Sequence, residues 1–288
     1  MTKTLSLSTI LILGMLFLLA GTAFANHTWG KYHWDLSTAD TMANPLELRD
    51  NLTTSAWKAS LAQASTDWNL SVIKNTVVPG TKNPQTCDPT IGSVEVCNAE
   101  YGDNGWLGIA QIWAYRGKDG HIAQAVTMLN DTYFALSKYN TQPWRDFVMC
   151  QEVGHTFGLG HQDENFGNTN LGSCMDYTND PTGLLGTNGT SSNEHPNTHD
   201  YEMLDEIYAH INGTTSGGND GGGKPDKGSG GGGKGKPNKA SIDPATWGQA
   251  VAQDAQGKNS LYVRNLENGM VQITHVLWAD NDGHEHTH

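Results

Sequence analysis

The chain has 288 residues, enough for one substantial domain with an appendage and too few for three ordinary domains. Its formal net charge of −13 repels phosphate backbones, so nucleic acid is excluded as an expected partner. The first element is a leader: Lys3, an uninterrupted apolar stretch from Ile10 to Ala20, then Ala23-Phe24-Ala25 as a cleavage site. A membrane anchor needs about 20 apolar residues, so the expectation is a signal peptide over 1–25, cleavage near Ala25 and a secreted product, extracellular or periplasmic, with no stable membrane anchor.

Past the leader, Tyr32-His33-Trp34 reads as an early strand. Trp57, Leu61, Ala64 and Trp68 recur at helical spacing, which predicts an amphipathic helix over 53–68. Trp106–Trp113 and Ile122–Leu129 read as strands. Thr141 can cap a helix that tolerates Pro143 in its first turn, and Tyr201, Leu204, Ile207, Tyr208 and Ile211 outline a last helix. The class is therefore α/β in the α+β sense, over a globular region 26–214. Residues 215–239 are mostly Gly, Lys, Pro, Asn and Asp with no large apolar side chain, a flexible linker whose ends lie on the order of 25–30 Å apart. Residues 240–288 form a small C-terminal region. Its Leu261–Leu266 and Met270–Trp278 runs flank Asn268-Gly269, a hairpin signal, and Asp243-Pro244 opens a short helix. A lone hairpin is marginal in water, so this piece is expected to dock on the larger domain or on a partner. Cys87, Cys97, Cys150 and Cys174 make an even count in an exported chain, with three possible pairings. Cys87–Cys97, closing a short loop, is the favoured first bridge.

The chemistry is concentrated in Cys150–Asp163, CQEVGHTFGLGHQD. Trp144, Phe147, Val148, Gln151 and His155 share one helix face. Gly158 can take positive φ and end the helix, so that His161 returns to face His155. Two imidazoles and a third side chain make an open three-ligand site of the kind catalytic zinc uses. Glu152 sits beside it, placed to take a proton from an activated water and pass it to a leaving amine.

The string QEVGHTFGLGH resembles the zinc motif H-E-x-x-H-x-x-G-x-x-H of the metzincin endopeptidases. Ser173-Cys174-Met175-Asp176-Tyr177 resembles their Met-turn, with Met175 beneath the metal. Tyr177 matches the tyrosine that astacin-like and serralysin-like members place near zinc. The likeness covers roughly Tyr32 to Ile211. It implies a mixed-sheet peptidase domain with an active-site helix, zinc held by Gln151, His155 and His161, Glu152 as general base and Tyr177 assisting the oxyanion. It also implies that Ile122–Leu129 is an edge strand to which an extended peptide or protein substrate adds. A Met-turn under the zinc helix would bring Cys174 to Cys150, implying the second disulfide.

The chain departs from the pattern at Gln151, where the family has its first histidine. A neutral amide oxygen is a weaker zinc donor than imidazole. Three readings stay open: Gln151 ligates through oxygen; His155 and His161 bind with water or another side chain; or the site is dead and the chain is an inactive metzincin-like module that binds peptide or protein. Zinc bound per chain, measured after truncation at Thr214, separates the last from the others. The segment before the first strand is too short for an inhibitory pro-segment, so the C-terminal region is a candidate restraint, and deleting 215–288 would then raise turnover. Asp163, Glu164, Asn168 and Asn170 are candidates for Ca2+, although a solvated loop is the ordinary reading. His284, His286 and His288 read as a polar end. Oligomeric state is not legible.

Overall fold

The computed structural model describes residues 27–36, 44–117, 120–209, 238–267 and 269–280. The leader, the linker core and the terminal histidines lie outside them. The elements in chain order are β1 (His33–Trp34), β2 (Leu46–Asn51), α1 (Ser55–Trp68), β3 (Asn75–Pro79), β4 (Ser93–Ala99), β5 (Trp106–Tyr115), β6 (His121–Asn130), α2 (Asp131–Phe134), α3 (Gln142–Thr156), α4 (Thr198–Ile207), β7 (Gln249–Gln253), β8 (Asn259–Asn265) and β9 (Met270–Trp278). No helix among the described residues is long and apolar enough to cross a membrane.

The strands form one mixed sheet in the order β3-β2-β4-β6-β5-β9-β8-β7, with β1 also paired to β6. The β3, β2, β4 and β6 part is parallel. β5 runs antiparallel to β6 and turns the sheet into its antiparallel half. Helices α1 and α3 cover one face. There Trp57, Leu61 and Trp68 of α1 meet Trp144, Phe147, Val148 and Val153 of α3 over Leu48, Val96, Ala110 and Ile112 of the sheet. The opposite face carries a second core of Trp106, Ile109, Trp113, Val126 and Met128, packed against Trp247, Tyr262, Met270 and Val276.

Several expectations hold. The helix expected over 53–68 forms as α1, its first turn capped by the Thr54 hydroxyl, and Thr141 caps α3 as expected, with Pro143 in the first turn. Both disulfides form, Cys87–Cys97 with Cα atoms 6.0 Å apart and Cys150–Cys174 at 5.9 Å. The helix expected at Asp243-Pro244 is a single 3-10 turn over Pro244–Thr246.

One expectation is corrected and another is made specific. Ile122–Leu129 is not an edge. It lies in β6, paired with β4 on one side and β5 on the other. Every residue of β6 except His121 is buried, and that near-continuous apolar run is the mark of a central strand. The C-terminal hairpin docks on the larger domain, one of the two expected places. β9 pairs antiparallel with the whole length of β5, from Trp106↔Trp278 to Tyr115↔Met270, and so extends the main sheet. Gln111 of β5 fastens the incoming segment: its amide nitrogen donates to the Ser241 carbonyl and its oxygen accepts from the Ser241 amide, both at 2.9 Å.

Candidate metal centre

Helix α3 presents Gln151 and His155 one turn apart, and both are fully buried. The helix ends where Gly158 adopts φ +108°. A Cβ there would stand 2.8 Å from the Tyr32 carbonyl oxygen, so glycine is required on both counts. The following turn is clamped from outside. Thr28 bridges Leu159, the Gly160 amide donates to the His27 carbonyl, and His27 Nδ1 lies 3.1 Å from the Gly160 carbonyl. That clamp returns His161 to His155.

The two rings meet with their Nε2 atoms 2.9 Å apart. Two imidazoles on one tetrahedral zinc, at Zn–N of about 2.0–2.1 Å, would stand about 3.3 Å apart, so the pair is close to ligating geometry. Each ring is held from behind. His155 Nδ1 lies 2.8 Å from the Leu159 carbonyl, and His161 Nδ1 lies 2.6 Å from Glu164 Oε1. Anchoring Nδ1 directs Nε2 inward and fixes the tautomer a metal needs. Burial, with the neighbouring His275 and His161, pushes the His155 pKa well down, so the ring is neutral and able to ligate.

The third imidazole comes from the far end of the chain. His275 of β9 stacks on His155 with centroids 4.0 Å apart and stands 5.9 Å from His161. One nitrogen from each of His155, His161 and His275 falls within 4.8 Å of the others. Among the described residues this is the only cluster of three or more His, Cys, Asp or Glu donors. His275 is 2% exposed, and neither of its ring nitrogens has a hydrogen-bond partner. Its pKa is also driven well down by burial. Three converging imidazoles, with both ring nitrogens of His275 free of hydrogen-bond partners, fit zinc. Position 151 is where the zinc-site pattern departs, and Gln151 donates its amide nitrogen to the Cys174 carbonyl at 2.9 Å while its Oε1 stays buried and unpartnered.

No protein-family model and no curated protein matches this chain. The site is therefore judged on its own geometry.

Glu152 is fully buried, and neither carboxylate oxygen has a partner. Burial raises its pKa well above the ordinary carboxylate value. The side chain fits only because position 108 of β5 is glycine: a Cβ there would lie 2.6 Å from Glu152 Oε1. Met175 is buried under α3, and a Cβ on Gly154 would meet its Sδ and the Trp68 ring, each at 2.7 Å. Gly154→Ala is accordingly expected to cost about 1–3 kcal/mol by overpacking, despite a helix-propensity gain of about 1 kcal/mol. Urea unfolding checks the sign, and a stabilised variant would show that Met175 is not packed there. Tyr177 stands over His161, centroids 4.6 Å apart, and its hydroxyl donates to the Val276 carbonyl of β9 at 3.1 Å.

Glu164 has a different place from that expected. Besides holding His161 it accepts from Ser260 Oγ of β8 at 2.9 Å, and its carbonyl accepts from the Ala255 amide. Burial works against its charge, but the His161 and Ser260 hydrogen bonds prevail and hold its pKa below the usual value. Asp163 instead caps a turn through the Asn165 amide, and Asn170 donates to the Asp180 and Ser191 carbonyls. Asp163 and Glu164 join no other cluster of acidic or histidine donors among the described residues.

Sequence reasoning passed over His275 altogether. The signal lay in the period of β9: Val271, Ile273, His275 and Leu277 alternate onto one face, and the histidine interrupts an apolar row.

Proposed function

We propose that the protein is a secreted zinc endopeptidase of metzincin type. The observation that carries this is the convergence of His155 and His161, each with Nδ1 anchored, at helix α3, which also carries the buried and unpartnered Glu152 carboxylate. A buried carboxyl group without a protein partner is costly to the fold, and such groups cluster at functional sites.

His155 and His161 would hold the metal, with His275 within reach as a third imidazole. Zinc, when bound, supplies the Lewis acid that polarises a peptide carbonyl and activates water. Glu152 accepts the proton of the attacking water and passes it to the leaving amine, a role suited by its raised pKa. The Tyr177 hydroxyl donates to whichever oxygen lies at the position that the Val276 carbonyl fills here, which is where an oxyanion donor would act. Met175 supports α3 from below. The two disulfides agree with an oxidising compartment.

A chain ended at Asp280 keeps β9 but removes His284, His286 and His288. Prepared with zinc and dialysed against metal-free buffer, it is expected to retain one zinc per molecule and to lose it in His155→Ala. Cleavage of an unstructured protein should fall at least about 100-fold in Glu152→Gln, with zinc retained. A zinc-free wild type, or an unimpaired Glu152→Gln, overturns the proposal. A second reading, a zinc-stapled module without turnover, draws on the filled groove along β5. It is distinguished by retained zinc with no cleavage under any condition.

A further inference from the structure

The parallel part of the sheet ends at β5, an antiparallel strand directly below α3. Its partner beyond β6 is β9, a piece of the same chain added in extended conformation. This is the geometry by which an extended peptide adds to a sheet edge. The place next to the metal centre where a substrate strand would pair is thus occupied along the length of β5. On the helix-facing side of β5, Gly108 lies under Glu152 and Ala110 pairs with His275. Two small residues in succession on that face leave room for a carboxylate and an imidazole.

The occupant is tied to the site at several points besides the ladder. His275 stacks on His155 and meets the Trp29 ring edge-on at 5.6 Å. The Val276 carbonyl accepts from Tyr177, and Ser260 donates to the same Glu164 that orients His161. Of the four side chains on the buried row of β9, three are aliphatic, and only His275 lies against the two imidazoles of α3 and its following turn. A leucine would suit the row as well as its neighbours do, and an unpartnered imidazole buried there costs free energy unless a ligand repays it.

We propose that His275 is the third protein ligand of the metal, delivered in cis by a C-terminal strand seated in the peptide groove, so that metal binding latches the groove shut. His275 supplies the imidazole that the sequence lacks at Gln151. Only the identity of the metal rests on the peptidase reading. The latch has two consequences: zinc and β9 stabilise each other's placement, as linkage requires, and substrate enters only when β9 withdraws and His275 leaves the metal. A free enzyme would then hold zinc through His155 and His161, with the unpartnered Gln151 Oε1 next in line.

The test uses the chain ended at Asp280, as wild type, His275→Leu and Gln151→Ala, each loaded with zinc. X-ray absorption is expected to show three imidazole nitrogens on wild-type zinc and two in His275→Leu. Chelator competition should show zinc affinity at least about 100-fold weaker in His275→Leu, since changes merely behind a ligand already cost about 10–100-fold. Gln151→Ala should bind as wild type does. Amide exchange needs no substitution: residues 270–278 should exchange at least about tenfold faster in the wild type once zinc is stripped. Two imidazoles on the wild type, unchanged affinity in His275→Leu, or zinc-independent exchange of β9 each overturn the latch while leaving the peptidase reading standing. A wild type that takes up no zinc overturns both.

Discussion

A chain ended after Thr214 is expected to be recovered aggregated or molten, not as a released, faster enzyme. The physical cause is the second core. Trp106, Ile109 and Trp113 of β5, with Val126 and Met128 of β6, are buried in a layer that residues from 238–280 help to close. Trp247 is fully buried in that layer, and Tyr262, Met270 and Val276 complete it. An aromatic side chain buries roughly 150–250 Å², and each 200 Å² of apolar surface returned to water costs about 5 kcal/mol. Losing the cover of even two tryptophans therefore consumes most of the roughly 5–15 kcal/mol by which domains are stable. The truncation also strips β9 from β5, leaving a ten-residue strand, buried except at Tyr115, as a bare edge. Size-exclusion chromatography and near-ultraviolet circular dichroism check this outcome. A monomeric truncated chain with native aromatic signals would show that 238–280 only decorates a self-sufficient domain. The same truncation removes His275, so zinc lost by such a chain says nothing about His155 and His161. Substitution at His275, or ending the chain at Asp280, separates metal binding from folding.

What the sequence disclosed divides along a physical line. Local signals were legible. Thr141 sits where a cap belongs, Pro143 lies in a first turn, and Gly158 has the positive φ its place in the motif suggested. His155 and His161 could be brought face to face because a helix turn and a tight return are short-range constructions. The Cys150–Cys174 bridge, implied by the resemblance, forms, and Met175 packs against Gly154 of α3.

Long-range pairing was not legible. β2 and β4 alternate over only a few residues, Leu46-Glu47-Leu48-Arg49 and Val94-Glu95-Val96, runs too short to stand out, and their place shows only in the parallel ladder they share with β3. β6 was taken for an edge because a run of ten residues says nothing about who pairs with it. β5 and β9 are separated by more than 150 residues, and Asn268-Gly269 announced a hairpin without saying what the hairpin would join. His275 stayed hidden for the same reason. Its partners are supplied by a helix more than 100 residues earlier, and no spacing rule reaches that far.

Two buried glutamates show how the structure separates a working carboxylate from a structural one. Glu95 is 1% exposed and accepts from Asn51 Nδ2 at 2.6 Å. Glu152 is fully buried with both oxygens unpartnered. Replacing each by leucine in metal-free protein should therefore move stability in opposite directions. Glu95→Leu removes the charged one of the two acceptors of Asn51 Nδ2, leaving the Arg49 carbonyl, and should cost about 1–3 kcal/mol. Glu152→Leu removes a polar group that gains nothing from the fold and should stabilise by a similar amount, roughly 1–2 kcal/mol on the scale of other stabilising substitutions. In a domain of this size each kcal/mol moves Tm by about 2–4 °C, so the two variants should melt measurably on either side of the wild type. Zinc is then added to the Glu152→Leu protein. If its metal content matches the wild type while cleavage is lost, Glu152 is retained for chemistry at a cost in stability. If Glu152→Leu melts lower than wild type, Glu152 has a structural partner, and its assignment as the general base loses its physical basis.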